Sequence, residues 1–330
     1  MKKRLVWLDV AKGFAILYVL FGHTFPWGGL ARDMGESYLM PMYFVVAGYT
    51  FKNILGKDVV PATIKDAKRI MVPAIIAMLL DYIGRMIVGN WGLVDGLKAT
   101  LLRILWGNSY DCSFSIGVGA MWFLYAMFWS RLAYRLIDLV AGNRNWLRLL
   151  LISLLTAITH FMNLKGIYLP QYVDGVFLGC VFLEVGKCIK EYDKKEFTKK
   201  YDFIIGFVSF VLWCGIFFGF RINMIMNSRV YTIVTLFLAI VGSVWTIMLC
   251  RLFNDLRFVR PIQWVGQYSL DLLCIHFWDH LWFDGMENGM KLALIRMSVD
   301  VIILVIYEFI KSRVFNTKNN TKSCPKGDTK

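Results

Sequence analysis

The sequence predicts an all-α polytopic membrane protein with about ten transmembrane helices and with both termini in the cytoplasm. Two features of composition and one pattern of charge support this prediction. Apolar residues make up 58% of the 330 residues and aromatic residues 16%, and the mean hydropathy is +0.55, which a soluble domain of this length would not tolerate. The basic residues are concentrated in alternate connections between the apolar segments.

Ten apolar segments approach the length needed to cross a bilayer, which is about 17 to 25 helical residues. The second and the fifth segments are short, so each could be tilted, re-entrant or differently bounded. The approximate limits of the predicted spans are 5–25, 39–53, 70–89, 115–133, 149–163, 168–186, 203–220, 230–250, 264–282 and 292–310.

The distribution of Lys and Arg sets the predicted orientation. With the N-terminus inside, the cytoplasmic stretches hold 27 of the 37 basic residues, and the outer stretches hold 7. Because cytoplasmic loops carry the excess of basic residues, both termini are predicted to be cytoplasmic. The net charge of +14 is therefore attributed to topology and not to nucleic-acid binding, since the basic residues form no cluster among polar loops.

A single transmembrane domain is predicted over residues 1–312, followed by a polar basic tail, 313–330, that is expected to be disordered. The first span is expected to stay uncleaved, because charged residues interrupt its apolar run. The outer segment 90–114 contains GLKATLLRILWG, whose apolar spacing predicts a short helix on the outer surface. Within their helices, Glu184 and Lys187 are expected to form a structural ion pair.

Three ionisable residues lie in the first span, within the run DVAKGFAILYVLFGH that covers residues 9–23. Helical periodicity places Asp9, Lys12 and His23 on one face, with His23 roughly 16 Å along the axis from Lys12. A charged residue inside a span costs on the order of 3 kcal/mol, so it usually faces the bundle interior or a wet cavity. Two interpretations remain open: an interfacial Asp9–Lys12 pair with His23 at the headgroup boundary, or a functional site inside the protein.

The run RLVWLDVAKGFAILYVLFGH resembles the opening signature of the acyltransferase-3 family of membrane acyltransferases, in which an aspartate precedes a basic residue, ten residues and a histidine. Further similar motifs follow in the family's order: YLMPMYFVVAGYTF, KRIMVPAI, MWFLYAMF and WVGQYSLDLLCIH. The form DxxKG followed by GH is similar to the branch of fucose 4-O-acetylase-like and capsular-polysaccharide O-acetyltransferases. The resemblance covers nearly the whole chain.

Two positions depart from the family's pattern. Many relatives have His before the MP of the second helix, where this chain has Leu39, and Ser before the following Gly, where it has Ala47. If either position helps to hold the acceptor, the substrate of this chain differs from that of the better-known relatives.

The resemblance implies an enzyme of a bacterial cytoplasmic membrane that moves an acyl group, expected to be acetyl, from cytoplasmic acetyl-CoA or another acyl-CoA to a hydroxyl of a cell-surface or lipid-linked glycan. His23 is then expected to be the general base, and Asp9 to fix Lys12. Lys12 and Arg69 are expected to meet the phosphates of the donor, which is a substrate and not a permanently bound cofactor.

The acceptor side is expected to include Trp122, Ser269 and His276. The segment HFWDH places His276 and His280 at i,i+4, which is a metal-ligand spacing reminiscent of inverted zincin motifs. No further carboxylate ligand is identifiable from the sequence, so no metal is expected. Asp279 and His280 are instead expected at the water line.

Two other classes of function remain open. Intramembrane charges could form the proton relay of a transporter or exporter of an envelope precursor, or the chain could be a membrane scaffold in which Lys12 and His23 are replaceable. The sequence contains no GxxxxGK[ST], GxSxG or CxxC motif. If the chain is an acyltransferase, direct attack by the acceptor hydroxyl is therefore expected, without an acyl-enzyme.

Overall fold

The computed structural model describes residues 4–26, 29–52, 56–89, 91–194, 198–220, 232–283, 286 and 289–322. This part of the chain is all-α, as predicted, and its only β-type pairing is an isolated bridge between Cys112 and Ser115. The α-helices are α1 (Val6–Gly22), α2 (Leu30–Glu36), α3 (Leu39–Tyr49), α4 (Val59–Asp66), α5 (Val72–Ile87), α6 (Leu93–Trp106), α7 (Trp122–Ala141), α8 (Asn145–Leu164), α9 (Val176–Tyr192), α10 (Thr198–Phe220), α11 (Ile233–Phe253), α12 (Arg260–Gln267), α13 (Ser269–His276), α14 (His280–Phe283) and α15 (Met290–Lys322).

Four helical segments of the described chain are long and apolar enough to cross a membrane. The first joins α4 to α5 through a π-helical turn, Ala67–Met71, and so forms one continuous segment of 29 residues. The count of ten spans and the cytoplasmic position of the termini remain predictions. The four segments are Val59–Ile87, Asn145–Leu164, Tyr201–Gly219 and Ile233–Phe253.

The other predicted spans are shorter, more charged or interrupted in the structure. Helices α1 and α9 contain 17 residues each, and α3 contains 11. Helix α7 has 20 residues but carries Arg131 at its middle and Arg135 and Asp138 in its second half. The predicted span 264–282 is broken at Tyr268, where α12 ends and α13 begins.

The structure has a helix in the predicted outer segment and another that extends into the predicted tail. Helix α6 occupies Leu93–Trp106, and Gly107, with φ of 58°, ends it in the left-handed region that favours glycine. Helix α15 continues into the predicted tail as far as Lys322. Residues 323–330 of that tail lie outside the described part of the chain.

Glu184 has a different partner from the one that the sequence predicted. Both of its carboxylate oxygens accept hydrogen bonds of 3.0 Å from Arg148, while Lys187 lies 3.3 Å from Asp138. Residues three apart on one helix can meet, but here charges on neighbouring helices are better placed. The buried carboxylate thus joins α8 to α9 and does not stabilise α9 alone.

Helices α1 and α12 cross at two glycines with almost no space between their backbones. A Cβ atom on Gly13 would lie 1.9 Å from the carbonyl oxygen of Ile262, and one on Gly266 would lie 1.7 Å from that of Asp9. Such small-residue contacts let helices approach closely in membranes, where packing replaces much of the hydrophobic driving force. This crossing fixes the position of α1 relative to the segment that leads into α13.

Substitution of Gly13 by Ala should loosen this crossing, because the new methyl group would overlap backbone that has no rotamer to change. We expect Gly13→Ala to lower the free energy of unfolding by about 1–3 kcal/mol. The matched control is Gly215→Ala on α10, where an added Cβ meets no atom within 4 Å. Thermal unfolding of both purified variants in detergent measures the difference, and equal midpoints would contradict the proposed crossing.

Candidate active site

His23 lies at the C-terminal end of α1, directly after Gly22, and its ring meets that of His276 at the end of α13. The His23 Nδ1 is 3.0 Å from the His276 Nε2, and the two rings are stacked with centroids 5.2 Å apart. Gly13 and Gly266 each precede their histidine by ten residues. The glycine crossing therefore aligns the two segments so that their histidines meet.

Two carboxylates face the far side of the His276 ring. The His276 Nδ1 lies 3.1 Å from an oxygen of Asp300 on α15 and 3.0 Å from an oxygen of Asp279. All three side chains are buried, with at most 5% of each residue exposed. His276 is thus held between His23 and two carboxylates.

This arrangement assigns the tautomer of each neutral ring. A carboxylate only accepts hydrogen bonds, so the Nδ1 of His276 carries a proton and donates it to Asp300. The Nε2 of His276 is then an acceptor, and the Nδ1 of His23 donates to it. The Nε2 of His23 is left without a proton, which is the state that a general base requires.

Arg296 neutralises one of the two carboxylates. Its guanidinium donates to both oxygens of Asp279, at 2.8 and 2.6 Å. Asp279, which was expected at the water line, is instead only 2% exposed, and the arginine compensates its buried charge. His276, Asp279 and Asp300 offer possible ligand atoms within 4.8 Å of one another, but the bidentate contact with Arg296 occupies Asp279. The side chain of His280 lies outside the described part of the structure.

A small cavity, here called the His23 cavity, lies beside His23 and has a volume of about 90 Å³. Its polar residues are His23, Arg32, Glu36 and Tyr18. Arg32 donates a hydrogen bond of 2.6 Å to Glu36, and the second oxygen of Glu36 is buried with no hydrogen-bond partner. Burial raises the pKa of the Glu36 carboxyl, and the hydrogen bond from Arg32 opposes that rise.

A larger cavity of about 500 Å³, here called the Lys12 cavity, lies toward the start of α1. Lys12 lies 2.7 Å from Asp9 in an ion pair, and Arg4 donates a hydrogen bond to the same carboxylate. The backbone carbonyl of Lys12 accepts a hydrogen bond of 2.8 Å from Tyr43. Four basic side chains and two carboxylates line this cavity: Arg4, Lys12, Arg69, Arg131, Asp9 and Asp66.

The excess of positive charge suits the Lys12 cavity to an anion. Arg131 donates two hydrogen bonds to Asp66, at 2.8 and 3.3 Å, and Arg135 donates a third. The Nε and Nη1 atoms of Arg135 are buried without a hydrogen-bond partner. Arg69 lies in the π-helical turn between α4 and α5, a type of distortion that is frequent at functional sites.

The structure brings some of the residues predicted for the site together and separates others. Trp122 lines the His23 cavity, where it stacks on Tyr172 at a centroid distance of 5.0 Å. Ser269 lines the Lys12 cavity and not the His23 cavity, because it lies at the start of α13. His276 does not line either cavity, but its ring contacts that of His23 on the side away from the His23 cavity.

The two departures from the family's pattern face different spaces. Leu39 lines the His23 cavity, and Ala47 lines the Lys12 cavity.

Four residues of this site were not identified from the sequence. Asp300 lies 24 residues beyond His276 in a separate helix, and no local spacing connects the two. Arg131 follows Trp122 by nine residues on α7, and in the sequence it is one of many basic residues that membrane orientation alone explains. Arg32 and Glu36 lie four apart on α2, a spacing that could have indicated their ion pair.

Comparison with known families agrees with the resemblance in the motifs. A family model of the acyltransferase-3 type, described as an acyltransferase domain, matches residues 5–306. That range runs from the residue before α1 to the middle of α15. Comparison with curated proteins gives no match.

Removal of Arg296 should destabilise the protein, because Asp279 would keep a buried charge without its cation. We expect Arg296→Met to lower the free energy of unfolding by about 3 kcal/mol. The double variant Asp279→Asn/Arg296→Met should recover part of that loss, since it removes the orphaned charge. Lys194→Met, at the exposed pair with Glu191, is the control and should change stability little. If thermal unfolding shows that Arg296→Met lowers the unfolding midpoint no more than Lys194→Met does, the prediction is contradicted.

Proposed function

The chain belongs to the acyltransferase-3 family, and from that premise we propose that it is a membrane O-acyltransferase of a bacterial cytoplasmic membrane. It moves an acetyl group from cytoplasmic acetyl-CoA to a hydroxyl of a cell-surface or lipid-linked glycan. The observation that carries this proposal is the supported base at one end of α1 and the basic cavity at the other. Under the predicted orientation, donor and acceptor would approach α1 from opposite sides of the membrane.

The proposed reaction is a direct transfer. The acceptor hydroxyl oxygen attacks the carbonyl carbon of the thioester, and the Nε2 of His23 takes the hydroxyl proton. A carbon–oxygen bond forms, the carbon–sulphur bond breaks, and coenzyme A leaves as a thiolate. The imidazolium of His23 returns the proton to that thiolate, directly or through water, so the base is restored and coenzyme A leaves as the thiol.

The hydrogen-bond chain behind His23 favours uptake of the proton. When the Nε2 of His23 is protonated, its Nδ1–H still donates to His276, whose own Nδ1–H donates to Asp300. The carboxylate therefore stabilises the positive charge that develops on His23, through one intervening ring. This is the role of the acid in a Ser-His-Asp triad, with a second histidine inserted between base and acid. His276 and Asp300 are positioning residues in this mechanism.

The Lys12 cavity is proposed to hold the coenzyme A part of the donor. Under the predicted orientation this cavity faces the cytoplasm, and its four basic side chains would meet phosphates. Lys12 contributes a compact charge, whereas Arg69 and Arg131 can bind a phosphate in bidentate fashion. The roughly 16 Å between Lys12 and His23 is comparable to the length of an extended pantetheine arm.

Replacement of His23 should abolish acetyl transfer. We expect His23→Ala to remove base-releasable acetate from the purified surface glycan of the host, compared with a deletion strain complemented by wild type at matched membrane expression. Asp300→Asn should retain the fold but slow transfer by about 10²-fold or more, because it disturbs the tautomers. His160→Ala is the control, since that histidine of α8 lines neither cavity.

The outcomes separate the candidate functions. If His23→Ala restores acetate as wild type does, His23 is not the base. If acetate never depends on the protein, the acyltransferase proposal fails. Uptake into vesicles that follows a proton gradient instead of acyl-CoA would then favour the transporter.

Loss of the Lys12 charge should weaken donor binding. We expect Lys12→Met to raise the KM for acetyl-CoA by about tenfold or more, since charge-assisted contacts contribute about 1.5–3 kcal/mol. The charge-matched control is Lys98→Met, because Lys98 is exposed on α6 and lines neither cavity. Initial rates over a range of acetyl-CoA concentrations in membrane vesicles give the KM, and an unchanged value for Lys12→Met would exclude Lys12 from the donor site.

A further inference from the structure

The His23 cavity and the Lys12 cavity lie one after the other along the same four helices. On α1, the Lys12 cavity is lined as far as Ile16, and the His23 cavity begins at Tyr18. Helices α3, α7 and α13 also contribute residues to both cavities. On this helix the two linings are therefore only two residues apart, or roughly 3 Å along the axis.

Three side chains face both cavities, and each comes from a different helix. They are Met40 of α3, Phe123 of α7 and Leu273 of α13. Leu273 and Phe123 are 7% and 8% exposed, so little free space surrounds them. All three are apolar, and together they form the wall between the Lys12 cavity and the His23 cavity.

The three wall residues differ in how freely they can move. The Phe123 ring makes edge-to-face contacts with Tyr43 at 5.3 Å and with Phe44 at 5.6 Å, so neighbouring rings hold it in place. Met40 is unbranched and has three rotatable side-chain bonds, and it is only partly buried. A passage between the cavities would therefore open first through the rotamers of Met40, beside a fixed Phe123.

The Lys12 cavity is much larger than the His23 cavity, and this difference limits which part of the donor each can hold. The Lys12 cavity, at about 500 Å³, is within the range of small-molecule sites, which is about 300–1,000 Å³. The His23 cavity, at about 90 Å³, is well below that range and has room for several water molecules. A bulky ligand group fits the first space and not the second.

We propose that Met40, Phe123 and Leu273 form the constriction through which the acyl group reaches His23, and that they restrict the donor to short acyl chains. This inference rests on the proposed function. The acyl group is the leading end of a donor whose phosphates stay in the Lys12 cavity. Every carbon beyond the carbonyl must pass these three side chains and then share the His23 cavity with the incoming hydroxyl.

The test is a competition in membrane vesicles that contain the full-length protein. Equal concentrations of acetyl-CoA and hexanoyl-CoA are supplied, and the acetate and hexanoate released by base from the envelope glycan fraction are measured. The ratio of the two products does not depend on how much protein is present. Wild type should transfer acetyl at least about 100-fold faster, because each added methylene in a tight pocket can cost about tenfold or more.

Truncation of Met40 or Leu273, the two wall residues that are not aromatic, should relax this selection. We expect Met40→Ala and, independently, Leu273→Ala to raise the ratio of hexanoate to acetate by about tenfold or more, because both substitutions widen the passage and the His23 cavity. The matched control is Met248→Ala, which also truncates a methionine but one that lines neither cavity. Its ratio should equal that of wild type.

Each outcome identifies which proposal fails. If wild type transfers hexanoyl as readily as acetyl, or if both wall variants keep the wild-type ratio while still transferring acetyl, the constriction is overturned and the acyltransferase stands. If wild type transfers neither acyl group, the proposed function itself is overturned. Two variants on different helices are used so that misfolding of one does not remove the test.

Discussion

The close crossing of α1 and α12 at Gly13 and Gly266 is the constraint on which the site depends. With backbone against backbone at this point, the two helices have little freedom to slide or rotate past each other. Ten residues after each glycine, His23 and His276 meet at 3.0 Å. A larger residue at either glycine would separate the two helices and shift the histidines by more than a hydrogen bond tolerates.

Buried charge is the second constraint, and Asp300 is held differently from most of the buried carboxylates that the structure describes. Arginine or lysine neutralises most of the buried acidic groups, as at Asp9, Glu184 and Asp279. In the described part of the chain, the ion-pair contact of Asp300 is with His276. A carboxylate without a permanent cation makes a proton on the neighbouring rings more favourable, because that proton supplies the missing charge. This asymmetry supports a proton-handling role for His23 and His276.

The two cavities divide the proposed chemistry by polarity. Arg69, Arg131 and Lys12 concentrate positive charge in a space large enough for a small molecule, and anions are attracted to such a space. The His23 cavity is small and lined mainly by apolar side chains around its base. In the proposed reaction, the charged part of the thioester stays in the Lys12 cavity and only its neutral end reaches the histidine.

The sequence by itself determined the all-α class, the membrane character and the shared face of Asp9, Lys12 and His23, because composition and a period of 3.6 residues are properties of the chain alone. The ordered motifs also predicted the family. The tertiary structure alone decided which residues meet that face. Asp300 and Arg131 belong to distant helices, Ser269 lies on the other cavity from the one expected, and Glu184 pairs with Arg148 instead of Lys187. Periodicity fixes the direction in which a side chain points, but the packing of helices decides what it touches.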